Sequence, residues 1–170
     1  MRYLAVDLGD KRTGLALGDS VTGLVSPLDV VESPLQSRNG VLLLEALGRA
    51  ADEHLGIHPE REPGELVMGL PLHMDDSESH RSKIVRAFGA RLSARCRRPI
   101  HYQDERLTSV EADWGMARSG LTHGQKKARR DALAAAAILR DFLAQHAPPP
   151  NDTPKRPGGF GPGRRDDTRA

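Results

Sequence analysis

Cysteine is nearly absent from this chain. Cys96 is the single one among 170 residues, so no disulfide can form within the chain, and nothing around it has CxxC or metal-ligand spacing. A free thiol in a reducing compartment is the expectation. Aromatic residues are also scarce, at 4%, which argues against a stacking platform for single-stranded nucleic acid. No apolar run approaches the roughly 18 residues that a membrane-spanning helix needs. The N-terminus runs straight into a strand pattern, without the charged start and long apolar stretch of a signal peptide. A cytoplasmic protein with no membrane partner follows by elimination. Histidine forms no HxH or HExxH pattern, which disfavours zinc. Ser77 and Ser79 lack the context of a nucleophile elbow, which disfavours a serine hydrolase. A large charge of one sign is missing too. The formal net charge is +2, so the placement of the arginines matters more than their number.

What is present fits one domain with a tail. Hydrophobic residues make up 38% of the chain, an average lowered by the segment from Pro148 onward. That segment is rich in proline and glycine and holds almost nothing apolar. It cannot bury enough surface to offset its ordering entropy. The expectation is a folded domain over 1–147 and a disordered, weakly basic tail over 148–170.

Within the domain, Arg2 to Leu8 alternates as a strand, with Tyr3, Ala5 and Asp7 on one face and Leu4, Val6 and Leu8 on the other. Gly9 to Arg12 reads as a turn and Thr13 to Gly18 as the second arm of a hairpin. Val25 to Val31 is a third strand, with Pro27 marking a break or an edge. Val41 to Leu55 has helical spacing, Glu65 to Leu70 is a short strand, and Asp75 to Ser79 offers helix caps for Ser82 to Cys96. Ile100 to Gln103 is a strand, followed by helices over Ser109 to Arg118 and Gln125 to Gln145. The order β-β-β-α-β-α-β-α-α implies an α/β fold with a mixed sheet and helices on its faces.

Three segments carry chemistry. In VDLGDKRTGLAL, Val6 to Leu17, an aspartate closes a strand and glycines follow two and seven residues later. Glycine permits a tight turn and close backbone approach by a phosphate, the carboxylate can hold a divalent cation, and Lys11 and Arg12 add positive charge. The plainer alternative is a hairpin capped by Asp7 and Gly9. In HYQDERLTS, His101 to Ser109, a strand ends in two acids and an arginine. Adjacent strand residues point to opposite faces, so Asp104 and Glu105 have different jobs; both could equally serve as helix-start acids. In KKARRDALAAAAILRDFL, Lys126 to Leu143, Asp131 shares a helix face with Ala135, Ile138 and Phe142. A carboxylate on an inward face needs a counter-charge, and the alanines allow close approach to the sheet. The alternative is an aspartate favoured by the helix dipole near its start. Three acids on two strand ends and a helix are what a two-metal phosphodiesterase needs to clamp ions roughly 3.5–4 Å apart. Carboxylates suit Mg2+ or Mn2+.

Four segments, VDLGDKRTGLAL, LVMGLPLHMDDSES, YQDERLTSVEA and RRDALAAAAIL, together resemble the YqgF family, also described as RuvX-type Holliday junction resolvases and as pre-16S ribosomal RNA nucleases. They occur in the family's order up to about Gln145. The resemblance implies a ribonuclease H-like fold, with a mixed five-stranded sheet flanked by helices, and a bacterial cytoplasmic nuclease. It places a catalytic, metal-binding trio on Asp7, Glu105 and Asp131, choosing Glu105 over Asp104. Arg12 and Arg106 resemble the family's basic residues beside the site, and with Lys11, Lys127 and Arg130 they are the expected substrate-binding set. LPLHMDDS looks like the family's loop between strand and helix. Asp10 departs from the pattern, standing where a small hydroxyl residue is usual, and Asp76 stands where glycine is usual; both add negative charge near a polyanion's path.

The resemblance implies cleavage of structured nucleic acid: the 5′ end of precursor 16S ribosomal RNA, with a ribosomal precursor particle as partner, or a branched DNA junction in recombination and repair. A symmetric junction would suit a homodimer with two sites, though no heptad or long apolar stripe demands one. Two other classes compete. A phosphotransferase would use Asp-x-Gly as a phosphate loop, but one domain of this length is too short for two lobes closing on ATP. A non-catalytic nucleic-acid or ribosome-binding module would use the basic helix carrying Lys83, Arg86, Arg91, Arg95, Arg97 and Arg98.

Overall fold

The computed structural model describes residues 1–75, 77–105 and 123–146, with side chains from 129 onward in the last stretch. The predicted helix over Ser109 to Arg118 and the tail over 148–170 lie outside the described residues. Strands β1 (Arg2–Leu8), β2 (Thr13–Asp19), β3 (Val25–Val31), β4 (Gly64–Leu70) and β5 (Ile100–Asp104) form one sheet in the order β3-β2-β1-β4-β5. β2 runs antiparallel to β1 and β3, while β1, β4 and β5 are parallel. A hairpin pair followed by parallel strands reached through helices is the ribonuclease H-like arrangement.

The period-2 pattern of β1 sorts its neighbours. Leu4, Val6 and Leu8 enter a core with Leu43, Leu47 and Leu55 of α1 (Val41–Leu55) and Val85, Phe88 and Leu92 of α2 (His80–Cys96). Ala5 faces the other way, into a second core with Ala135, Ile138, Leu139 and Phe142 of α3 (His123–His146), and Tyr3 packs at its margin. The central strand is therefore buried on both faces, as a parallel sheet requires. β3 carries Pro27 at an edge, where a missing N–H costs least, and a register shift lies between Gly14 and Ala16 in its pairing with β2.

α2 begins earlier than the periodicity predicts. Ser79 caps it: its hydroxyl accepts from the Ser82 backbone N–H at 3.0 Å while the Ser82 hydroxyl accepts from the Ser79 N–H at 3.2 Å. Both hydroxyls also donate to the Pro71 carbonyl, which fixes the helix start to the chain leaving β4. The basic face predicted for α2 is largely spent within the fold. Arg98, just past the helix, is buried, and its guanidinium donates to the carbonyls of Leu55, Gly56, Glu62 and Gly64. Arg95 pairs with Glu45 and Asp52, Arg86 with Glu78, and Arg91 donates to the Asn39 carbonyl. Cys96 is a buried free thiol whose pKa burial pushes up to about 11, leaving it protonated and inert. Among the described residues no helix is long and apolar enough to cross a membrane.

Candidate active site

The C-terminal ends of parallel strands are where open α/β sheets collect their chemistry, and here β1, β4 and β5 end side by side. Asp7 sits on the α3 side of β1, because it shares parity with Tyr3 and Ala5. Its cross-strand partner on β2 is Gly14. A Cβ on Gly14 would lie 2.0 Å from the Asp131 carbonyl oxygen. The second glycine of the VDLGDKRTG segment thus lets α3 press its backbone onto the sheet beside Asp7. The close approach expected of a phosphate is made by a helix. The first glycine serves the turn: a Cβ on Gly9 would lie 2.1 Å from the Arg12 carbonyl oxygen.

Glu105 arrives from the other side. It follows β5 directly and shares parity with Gln103, which pairs with Gly69 of β4. A Cβ on Gly69 would meet the Glu105 Oε1 at 2.5 Å and the Ile138 Cδ1 at 2.7 Å. Glu105 therefore lies over Gly69, on the α3 face, and Asp104 has the opposite parity. Asp131 comes down from α3, on the face that buries Ala135, Ile138 and Phe142.

These acids share one field. The Asp7 carboxyl is raised to about 6: burial is the largest cause, the charge of Asp131 adds to it, and Arg81 opposes the rise. Glu105 is raised to about 7: burial is the largest cause, Asp7 and then Asp104 add to it, and Arg81 opposes the rise. Arg12 donates to the Asp131 Oδ2 at 2.7 Å, a charge-assisted bond between partly buried groups. Among the described residues no group of three or more acids or histidines is spaced as a ready ligand set for an ion; Asp131 is held by Arg12 on its own side of the site.

The remaining predicted residues divide. Lys11 and Arg12 line a cleft of about 660 Å3 with Gly9, Asp10, Glu32 and Asp131. Arg130 is exposed on α3. The backbone at Lys127 lies in α3, but its side chain is outside the described residues, as are Arg106 and Asp76. Asp10, the departure from the family pattern, is paired with Arg81.

Sequence reasoning missed Arg81. It stands in the first turn of α2, where a cation opposes the helix dipole, and α2 has no acid in that turn. A residue placed against a local rule marks a position held by something other than helix stability, and that was the available signal.

A family model described as "RuvX: Holliday junction resolvase" matches residues 1–145. A protein of Paraburkholderia phymatum is 39% identical over 140 residues, covering 82% of this chain and 83% of its own length. One of Thiobacillus denitrificans is 40% identical over 141 residues, covering 82% and 89%. Both bear the name "Putative pre-16S rRNA nuclease". A solved structure titled "T. thermophilus RuvC in complex with Holliday junction substrate" aligns over 86% of this chain and 96% of its own, at 13% identity and a TM-score of 0.49.

Proposed function

This chain belongs to the RuvX family, and on that premise we propose that it is a divalent-metal-dependent endonuclease, cytoplasmic, that hydrolyses phosphodiester bonds in structured nucleic acid, with its working unit in residues 1–147. The observation that supports the reading is the electrostatic coupling of Asp7 to an acid on either side: Asp131 raises the proton affinity of Asp7, and Asp7 raises that of Glu105. Partly buried carboxylates that repel one another gain from an added positive charge, and their oxygens suit a hard cation such as Mg2+ or Mn2+. When bound, such a cation supplies an activated water and charge neutralisation at the phosphate.

The chain's own residues divide the remaining work. Asp7 and Glu105 would hold the cation from two strand ends, and Asp131 would complete the set from α3. Arg12, bonded to Asp131, and Lys11 beside it bring positive charge to the cleft where a phosphate backbone enters. Arg106, Lys127 and Arg130 complete the proposed substrate-binding set.

Among substrates, processing of the 5′ end of precursor 16S ribosomal RNA, on a ribosomal precursor, is the reading favoured by the names of the relatives. The description of the family model favours the second reading, resolution of a branched DNA junction, for which a homodimer would supply paired sites. A purely binding role has less support, because the α2 arginines that would serve it are bonded within the fold. Incubation of the chain with a labelled RNA spanning the 16S 5′ junction and with a labelled four-way DNA junction, under Mg2+ or Mn2+, separates the two. Cleavage of the RNA at a discrete position, at least ten times faster than of the junction, is expected. Preference for the junction would overturn the ribosomal assignment.

A further inference from the structure

Arg81 joins the start of α2 to the segment leaving β1, about 70 residues away in sequence. It projects from a helix start that Ser79 and Ser82 tie to the Pro71 carbonyl, so its base is fixed relative to β4. Its guanidinium donates to the Leu8 carbonyl at the end of β1 and to the Asp10 Oδ1 in the turn that follows. Leu8 and Asp10 are the first and third residues after Asp7, so the guanidinium lies beside the end of β1 that carries Asp7, at the edge of the cleft that Asp10 lines. Its side chain keeps 30% of its exposure, and that of Asp10 keeps 73%. An ion pair so open to water is weak and exchangeable, whereas a guanidinium matches a phosphate with two parallel bonds.

Resting on the nuclease reading above, we propose that Arg81 is a substrate-binding residue: Asp10 parks it beside Asp7 in the free protein, and the entering nucleic-acid backbone takes it over, exchanging the Asp10 carboxylate for a phosphate. Asp10 is then a latch. The negative charge that looked adverse to a polyanion is neutralised until substrate arrives, and the exchange gives the mouth of the site a cation aimed in advance.

The test is equilibrium binding by fluorescence anisotropy in EDTA, so that no cleavage intervenes, with a labelled four-way DNA junction and a labelled RNA stem-loop as probes. Arg81→Gln is expected to weaken binding about 5- to 10-fold and to lower the slope of log K against log salt by about 0.7–0.9. Arg81→Lys should recover the slope and only part of the affinity, since the point charge remains and the planar fork does not. Asp10→Asn should tighten binding about 2- to 5-fold by freeing Arg81, and should do nothing in the Arg81→Gln background. A wild-type slope and affinity in Arg81→Gln overturns the proposal. So does a gain from Asp10→Asn that persists without Arg81, which would be simple relief of repulsion. A merely structural staple is distinguished by sign, because breaking it from either end would weaken binding. Failure of the wild-type chain to bind either probe would sink the nuclease reading itself, and this one with it.

Discussion

At the scale of single residues, the two strand-end acids hold protons more tightly than free carboxyls do. Asp7 moves from 3.8 to about 6 and Glu105 from 4.5 to about 7, burial being the larger cause in each. A raised folded-state pKa means the folded chain binds more protons than the unfolded chain between the two values. These groups therefore cost the fold little below their unfolded values near pH 4, and their ionisation progressively destabilises it as pH rises to about 7. For Asp7 the cost is about 3 kcal/mol in the absence of a cation. Thermal unfolding in EDTA should show wild-type stability falling between about pH 4 and 7 and levelling off above. Asp7→Asn should flatten that fall and be the more stable protein at pH 8. Addition of Mg2+ or Mn2+ should raise the wild-type midpoint at pH 8 and leave that of Asp7→Asn nearly unchanged. A wild-type midpoint that is flat with pH would contradict the assigned environment of both acids.

At the scale of elements, what the sequence made legible was whatever repeats along a single segment. The alternation in β1 put Asp7 on one face and Leu4, Val6 and Leu8 on the other, and both cores formed accordingly. The helical spacing of Asp131, Ala135, Ile138 and Phe142 marked the inward face of α3. Parity alone separated Asp104 from Glu105 without saying which one mattered; the position of Gly69 under the Glu105 side chain shows which of them turns toward α3. Relations between remote segments stayed hidden. Arg12 and Asp131 are 119 residues apart, and Arg81 and Asp10 are 71 apart. No local pattern encodes such pairs. Gly14 illustrates the same limit: its need for a missing side chain was readable, but the backbone it accommodates belongs to Asp131. The two close-approach glycines should accordingly behave differently. Gly14→Ala forces a Cβ against backbone, so α3 must lift, and a loss of about 3 kcal/mol or more is expected in denaturant unfolding. Gly69→Ala meets the far ends of the Glu105 and Ile138 side chains, which can move. It should cost about 1 kcal/mol in stability while displacing Glu105 and lowering cleavage at least tenfold. Equal stability losses in the two variants would contradict the packing described for α3.

At the scale of the whole molecule, the architecture explains why the acids act on one another's charge. Parallel strands bring the ends of β1, β4 and β5 side by side, and α3, pressed down over Gly14, brings the charge of Asp131 within reach of Asp7. The hydrophobic cores hold these elements at positions that electrostatics alone would not choose, with Arg12 and Arg81 offsetting part of the repulsion. A scaffold of this kind stores its unfavourable terms where they do chemistry. The account stands or falls on whether Asp7 is needed for cutting. The decisive measurement is the single-turnover cleavage rate of wild-type and Asp7→Asn protein on the preferred substrate, with Mg2+ or Mn2+ and with EDTA, at matched nucleic-acid binding. The account predicts metal-dependent cleavage by the wild type and a loss of at least about 100-fold in Asp7→Asn, since a direct metal ligand is removed. Cleavage by Asp7→Asn at the wild-type rate, or by the wild type in EDTA as fast as with metal, would contradict it.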